Sequence, residues 1–368
     1  MDTATSNVTS GPTRAVDVAI VGAGISGLAA AWELTRAAHS VAVLESRDRV
    51  GGRLLSLDSA GAGRLDLGAT WYWPGQSRIE QLIGEFGIRT HPQHIAGDAM
   101  YHAPGGSQRV EGNPLDVPAG RFTDGADSLA RALAEELPDG AVQLGHPVEG
   151  IRATDDHLVL ATARADVECR HAILALPPAL AVARIAFTPE LPPPATRLAA
   201  ATPVWMAATT KVVVRYQEPF WRHHGLSGSA SSHVGPMREL HDMSGPHGDP
   251  PALFGFVSAG GSDEPTVAPE AIVRQLVEIF GDAAGAPLTV EIHDWRDGEW
   301  TAPPGVERLR ALQLVGHPEF RRPLMDGRRH WASTETAEVH PGHIEGALAA
   351  ASRAADAIAA EAPRGATR

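Results

Sequence analysis

Cysteine occurs once in the 368 residues, at Cys169, lysine once, at Lys211, and tyrosine three times. A single thiol excludes an internal disulfide and suits a reducing compartment, so a cytoplasmic location is expected. Cys169 falls in an apolar strand pattern and reads as a core thiol. No run approaches the roughly 18 apolar residues that a membrane span needs. Residues 1–14 lack the charged-then-apolar layout of a secretory signal and read as a disordered leader. Nor is there a basic stripe for nucleic acid, the net charge being −13. GxSxG, HExxH and P-loop patterns are all absent, which leaves hydrolase and NTPase readings unsupported. His223, His224, His233, His241 and His247 crowd one region, but in Gly/Ser/Pro-rich sequence without a closed ligand spacing. They read as solvated loop histidines, and no metal is expected.

The scarcity of lysine is informative. Against thirty arginines, a bias that a GC-rich genome produces, Lys211 stands where arginine does not serve. A lysine can lose its charge when buried and can hold a water as a compact donor; a guanidinium does neither easily.

What is present is organised around VDVAIVGAGISGLAAAWELTRAAHSVAVLESRDRVGGR, Val16 to Arg53. An apolar run enters Gly22-Ala-Gly24-Ile25-Ser26-Gly27, an alanine-rich helical segment follows, and a second apolar run ends on Glu45. This is the βαβ frame of a dinucleotide fold. Gly22 makes the tight turn, Gly24 admits a pyrophosphate, and Gly27 lets helix and strand pack closely. The helix start offers free N–H groups and partial positive charge to phosphate, and Glu45 stands where a ribose hydroxyl needs an acceptor. Ser46, Arg47 and Val50-Gly51-Gly52-Arg53 follow at once, where a nicotinamide fold would begin its next helix. That extension resembles the FAD signature of two-domain flavoproteins, with Arg53 available to the diphosphate. FAD is therefore expected rather than NAD.

Along the rest of the chain, residues 64–71 read as a short strand running into a loop, and strands are expected over 141–176, 207–216, 288–295 and 330–332. Residues 98–111 read as a hairpin turning at Gly105-Gly106. Helices are expected over 78–86, capped by Ser77 and stopped by Gly87, and over 126–137, 269–280 and 343–360. Residues 189–194 read as a proline-rich linker and 223–250 as loops.

Several motifs, in order, resemble the flavin-containing amine oxidases. Asp66-Leu-Gly68-Ala69-Thr70-Trp71 resembles the loop beside the flavin ring, with Ala69 where a second glycine is usual. Pro147-Val148 resembles the return to the FAD domain, where the valine backbone holds adenine. Thr210-Lys211-Val-Val-Val-Arg-Tyr-Gln-Glu-Pro-Phe-Trp221 is similar to the catalytic-lysine strand. Ala332-Ser-Thr334-Glu335-Thr and Pro341-Gly342-His343-Ile344-Glu345-Gly346-Ala347 are similar to the C-terminal flavin motif. A helix N-terminus near Ile344 would favour the negative charge of a reduced flavin. Glu335 is an acceptor for a hydroxyl of the cofactor's sugar chain.

The resemblance implies an α/β protein. An FAD-binding Rossmann-like domain would come from residues 15–80, 122–188 and 322–362. A discontinuous α+β substrate domain on a mixed sheet would come from 81–121 and 189–321, leaving 363–368 as a tail. It implies FAD, held non-covalently since no cysteine lies in the motif. It also implies oxidation of a small-molecule amine by hydride transfer to flavin N5, with O2 as reoxidant and H2O2 as product. Lys211 would hold a water near N5. His343 stands where the family has an aromatic wall, and Trp300 is the expected second aromatic. Only about 40 residues replace the usual long helical insertion, so the pocket is expected to be open or closed by a partner chain, as in a homodimer. Two other readings stay open. One is a desaturase or tailoring oxidase acting on a larger substrate; the other is a flavoprotein subunit that turns over only with a partner.

Overall fold

The computed structural model describes residues 14–59, 61, 63–257, 267–324 and 327–360. Most of the expected leader and the whole 363–368 tail lie outside these residues, and Arg14, assigned to the leader, opens the first strand.

That strand, Arg14–Val21, is buried from Val16 onward because it lies inside a sheet with both faces covered. It pairs in parallel with Val41–Glu45 on one side and Val167–Leu174 on the other. Val142–Leu144 extends the parallel set beyond Val41–Glu45, and Arg329–Trp331 joins Val167–Leu174, also in parallel. Leu158–Thr162, Val148–Ala153 and Ala186–Thr188 complete an eight-stranded mixed sheet. Helix Ile25–Arg36 lies against helix Ile344–Ala359, and both turn alanines to the shared core: Ala29, Ala30 and Ala31 from one, Ala347, Ala351, Ala354 and Ala355 from the other. Such small side chains let a helix settle close to its neighbour. The parallel strands end together at the glycine turn, the edge where ligands of such sheets bind.

A second, seven-stranded sheet runs Thr289–Asp294, Thr210–Arg215, Ala252–Val257, Met237–Asp242, Leu226–Ser232, Asp98–Ala103, Gly106–Val110. Helix Pro269–Phe280 covers one face through Ile272, Leu276 and Ile279. The expected hairpin is present, with Tyr101 opposite Gln108. The reading of 223–250 as loops is corrected: Leu226–Ser232 and Met237–Asp242 are central strands. Their composition hid them, since LSGSASS has no apolar alternation. Its serines are buried because they find partners, Ser227 Oγ donating to Asp98 O at 3.1 Å. The 189–194 linker is also shorter than expected, since a helix, Pro193–Ala201, begins inside it with proline in its first turn. Ser77 is the first residue of its helix rather than the cap. Glu345 serves that end instead, accepting from the N–H groups of Arg78 at 3.3 Å and Ile79 at 3.1 Å.

Candidate active site

A cavity of about 520 Å³ runs between the two sheets from the glycine turn to the Lys211 strand. Gly22, Gly24, Ile25 and Ser26 line one end. Gly22 has φ +104°, a conformation that glycine adopts freely. A Cβ on Gly27 would stand 2.0 Å from Gly22 O, so the helix can approach the strand only without a side chain there. Gly27 accordingly packs and does not line the cavity. A Cβ on Gly24 would meet nothing within 4 Å and would project into open space. Gly24 precedes the first helical turn with no side-chain cap, leaving those N–H groups for a ligand. Ser26 Oγ donates to Ala332 O, tying this helix start to the C-terminal motif. A narrow turn, an open cradle and an uncapped helix start fit the diphosphate of a dinucleotide.

Glu45, Ser46 and Arg47 line the cavity too, as does Val148. Glu45 is buried; one carboxylate oxygen accepts Ala23 N–H at 2.8 Å and the other Arg47 N–H at 2.9 Å. Gly51 and Gly52 lie against the first turn, Gly51 bridging to Gly24. Arg53 lines the cavity, but its guanidinium is engaged by Glu335, which does not line it. Glu335 is wholly buried and also accepts Trp205 N–H at 3.2 Å. Burial would raise its carboxyl, yet the charge and hydrogen bonds of Arg53 hold it below the usual range. The two residues assigned separately to the cofactor thus bind each other.

At the other end, Lys211 is 2% exposed. Its Nζ donates to Gly68 O at 2.8 Å and to Thr70 Oγ1, and lies 4.5 Å from the ring centre of Phe254. Burial lowers its pKa to about 7, against the opposing pull of the Asp66 carboxylate. Gly68 is obligatory: a Cβ would stand 2.0 Å from Arg53 O. Gly68, Ala69, Thr70 and Trp71 all line the cavity, as do Thr334, His343 and Ile344. Helix Ile344–Ala359 points its uncapped N-terminus here.

His343 is half-buried and held below its ordinary pKa by burial and by His340. Its ring stacks on Trp73 with centres 5.0 Å apart, and Trp205 meets it edge-on at 6.4 Å. Trp300 also lines the cavity, but near Glu45: Arg184 lies 5.5 Å over its ring and Arg47 bonds its carbonyl at 3.3 Å. The expectation that Trp300 pairs with His343 is corrected, because its short loop is drawn to the Arg47 end. Trp73 and Trp205 were missed. Trp73 follows a recognised motif by two residues, and Trp205 lies in a stretch with no motif to mark it.

His241 is a second correction. It is buried on strand Met237–Asp242, between Asp116 Oδ1 at 2.6 Å from Nδ1 and Glu239 Oε1 at 2.8 Å from Nε2. Glu239 lines the cavity. Among the described residues no group of three or more His, Cys, Asp or Glu side chains is arranged to hold a metal, and no helix is long and apolar enough to cross a membrane.

A nucleotide-type sheet with a glycine cradle at one end of a cavity and a buried lysine at the other is the arrangement of a dinucleotide-dependent oxidoreductase. The comparison with known proteins makes this specific: residues 25–123 and 111–359 match the family of flavin containing amine oxidoreductases, and the chain belongs to it. It is similar to "Putative flavin-containing monoamine oxidase AofH" of Mycobacterium tuberculosis, 31% identical over 95% of this chain and 98% of that one. That alignment runs over 456 positions, more than this chain has residues, so the relative carries segments absent here. Amine oxidase [flavin-containing] A of Equus caballus is 26% identical over 93% of this chain and 84% of its own. Among solved structures, a putrescine oxidase with putrescine bound superposes with TM-score 0.83 at 25% identity, covering 95% of this chain and all of that one. The cyclohexylamine oxidase of Brevibacterium oxydans shares the fold, with TM-score 0.80 at 23% identity over 94% and 99% of the two chains. The chain is therefore an enzyme of the flavin-dependent amine oxidoreductase class, with the α/β flavin-binding fold.

Proposed function

We propose that this enzyme oxidises a small amine at the carbon bearing nitrogen, with FAD held non-covalently and O2 as the final acceptor, giving H2O2. The observation that carries the reading is Lys211, buried at the end of the cavity opposite the glycine cradle. Gly22, Gly24, Ile25 and Ser26 would hold the diphosphate, with Glu45, Ser46 and Val148 about the ribose and adenine. Gly68, Ala69, Thr70, Trp71, Thr334 and Ile344 would surround the ring system. The single thiol is buried in strand Val167–Leu174 and does not line the cavity, which supports non-covalent binding. The flavin, when bound, supplies the acceptor for the substrate's hydride.

The chain's own part is positioning and proton handling. Gly68 O and Thr70 Oγ1 fix Nζ of Lys211, whose pKa near 7 lets it hold or release a proton at working pH. Reaction needs the neutral amine, since a protonated nitrogen has no lone pair for the developing iminium. Trp71, Trp73, Trp205 and Phe256 line the cavity with aromatic surface that offers the amine's charge few partners, which favours that neutral form. His343, kept neutral, adds one polar atom to an otherwise aromatic wall. The test is anaerobic mixing of FAD-loaded enzyme with a panel of amines, then admission of air. Loss of the yellow flavin absorbance followed by peroxide, aldehyde and ammonia is expected. A desaturated product without ammonia would move the enzyme to another reaction on the same cofactor.

A further inference from the structure

Behind the wall that carries Lys211 lies a buried pair of opposite charges, Asp66 and Arg121, to which no role has yet been given. Neither lines the cavity, and they are 0% and 2% exposed. One short stretch of chain brings them to the lysine. Gly68 O and Thr70 Oγ1 accept from Nζ. Asp66 ends strand Arg64–Asp66, two residues before Gly68. Trp71, one residue after Thr70, lies directly opposite Arg121 on strand Gly120–Phe122.

Asp66 is anchored by one oxygen and leaves the other free to act through charge. Oδ1 accepts from Ser56 Oγ at 2.6 Å and from Ala126 N–H at 2.9 Å. Oδ2 has no hydrogen-bond partner among the described residues and lies 4.0 Å from Arg121 Nη2. Arg121 is fixed on its far side, where Nη1 donates to Ser244 O at 2.9 Å. Beyond it the Asp242 carboxylate accepts from Arg222 Nε at 2.8 Å and Nη2 at 2.9 Å. The sign of charge thus alternates through Lys211, Asp66, Arg121, Asp242 and Arg222. His91, directly opposite Arg121, adds none, since burial and the guanidinium push its pKa down to about 4.

The other neighbours of Nζ are the rings of Phe254 and Phe256. Burial in such a place strips a proton from an ammonium. Asp66 pulls the other way, and Arg121 opposes it more weakly. Burial also raises the Asp66 carboxyl, and the charges of Arg121 and Lys211 counter that rise.

We propose that Asp66 is the counter-charge that lets Lys211 hold a proton inside the wall, with Arg121 keeping Asp66 ionised, so that both are positioning residues for the proton step at the flavin. The inference rests on the amine-oxidation reading above and says how the proton at that site is regulated. With Asp66 ionised, Lys211 passes between ammonium and amine near neutral pH. Without it, the amine form prevails.

Lys211 is the chain's single lysine, so growth on 13C-labelled lysine gives one side-chain NMR signal set, and its Cε shift follows the proton on Nζ. The FAD-loaded full chain is titrated as wild type, Asp66→Asn and the double variant D66N/R121M. The double variant removes both charges together and leaves neither member of the pair stranded if D66N alone fails to fold. In D66N the midpoint should fall by at least about 1 pH unit, or the signal should stay at the amine position throughout. The double variant should lie between D66N and wild type, because the pull of Asp66 exceeds the push of Arg121. The pH profile of anaerobic flavin reduction, or of reoxidation by air, should move down with the midpoint. A midpoint that stays at the wild-type value in D66N, or in the double variant at or above it, overturns the proposal. A midpoint that moves while both half-reactions keep their wild-type profiles overturns the positioning role. If no amine bleaches the flavin, the amine reading falls, while the NMR titration still decides whether Asp66 is the counter-charge.

Discussion

The guanidinium of Arg53 clasps the carboxylate of Glu335, Nη1 lying 2.6 Å from one oxygen and Nη2 3.0 Å from the other. The pair joins the N-terminal glycine segment to the C-terminal flavin motif, 282 residues apart. Nη1 of Arg53 and one oxygen of Glu335 also hold the backbone of Trp205, by its carbonyl at 3.1 Å and its N–H at 3.2 Å. Three separated stretches of chain meet at one fork-shaped contact.

Glu335→Ala leaves the Arg53 guanidinium, 27% exposed, without its partner, so about 1–3 kcal/mol of stability should be lost, read as a lower urea midpoint with unchanged slope. Arg53→Lys should recover only part of the function, because an ammonium cannot span both oxygens. Equal midpoints for E335A and wild type would refute a supporting role for the pair.

The glycines divide into two kinds, and alanine separates them. Gly27→Ala drives a Cβ into Gly22 O at 2.0 Å, a backbone atom that cannot rotate away. At least the roughly 1–3 kcal/mol of overpacking is expected as lost stability. Gly24→Ala places its Cβ in open cavity. G24A should melt as the wild-type apoprotein does, yet bind FAD at least about 10-fold more weakly, read by flavin fluorescence.

Lys211 predicts a stability that depends on pH. Its folded pKa is about 7 against an ordinary 10.5. Between those values the unfolded chain binds a proton that the folded chain does not, so stability rises with pH across that window. Below about pH 7 both forms are protonated and the full cost of burying the charge is felt. Lys211→Met removes the group. The stability of wild type relative to K211M should therefore grow from about pH 6 to about pH 10, by parallel urea titrations. K211M should also keep FAD while one half-reaction slows. Unchanged rates in both halves would take Lys211 out of the mechanism.

The tryptophans should sort by their neighbours. Trp300→Leu, beside Arg47 and Arg184, should weaken FAD binding and leave the KM for amine unchanged. Trp73→Leu, against His343, should raise that KM with FAD retained. Reversed effects would place the substrate at the other end of the cavity.

How much was legible before the fold can be argued residue by residue. The strand, glycine turn and helix from Val16 to Arg36 were legible because each signal is local: apolar run, glycine spacing, alanine-rich helix. Lys211 stood out because one lysine among so many arginines is visible without any contact. Strands Leu226–Ser232 and Met237–Asp242 were not legible, since their burial depends on serine and histidine partners from other segments. Trp300 was misplaced for the same reason. Its neighbour Arg47 lies about 250 residues away.

The sequence by itself determined the nucleotide fold, the family and the lysine, because short-range patterns encode them. Only the tertiary structure decided that Arg53 and Glu335 satisfy each other, that Trp73 and Trp205 enclose His343, and that Asp66 and Arg121 lie buried behind Lys211. Burial and pairing of charges depend on which distant segments meet. No window along the chain contains that information.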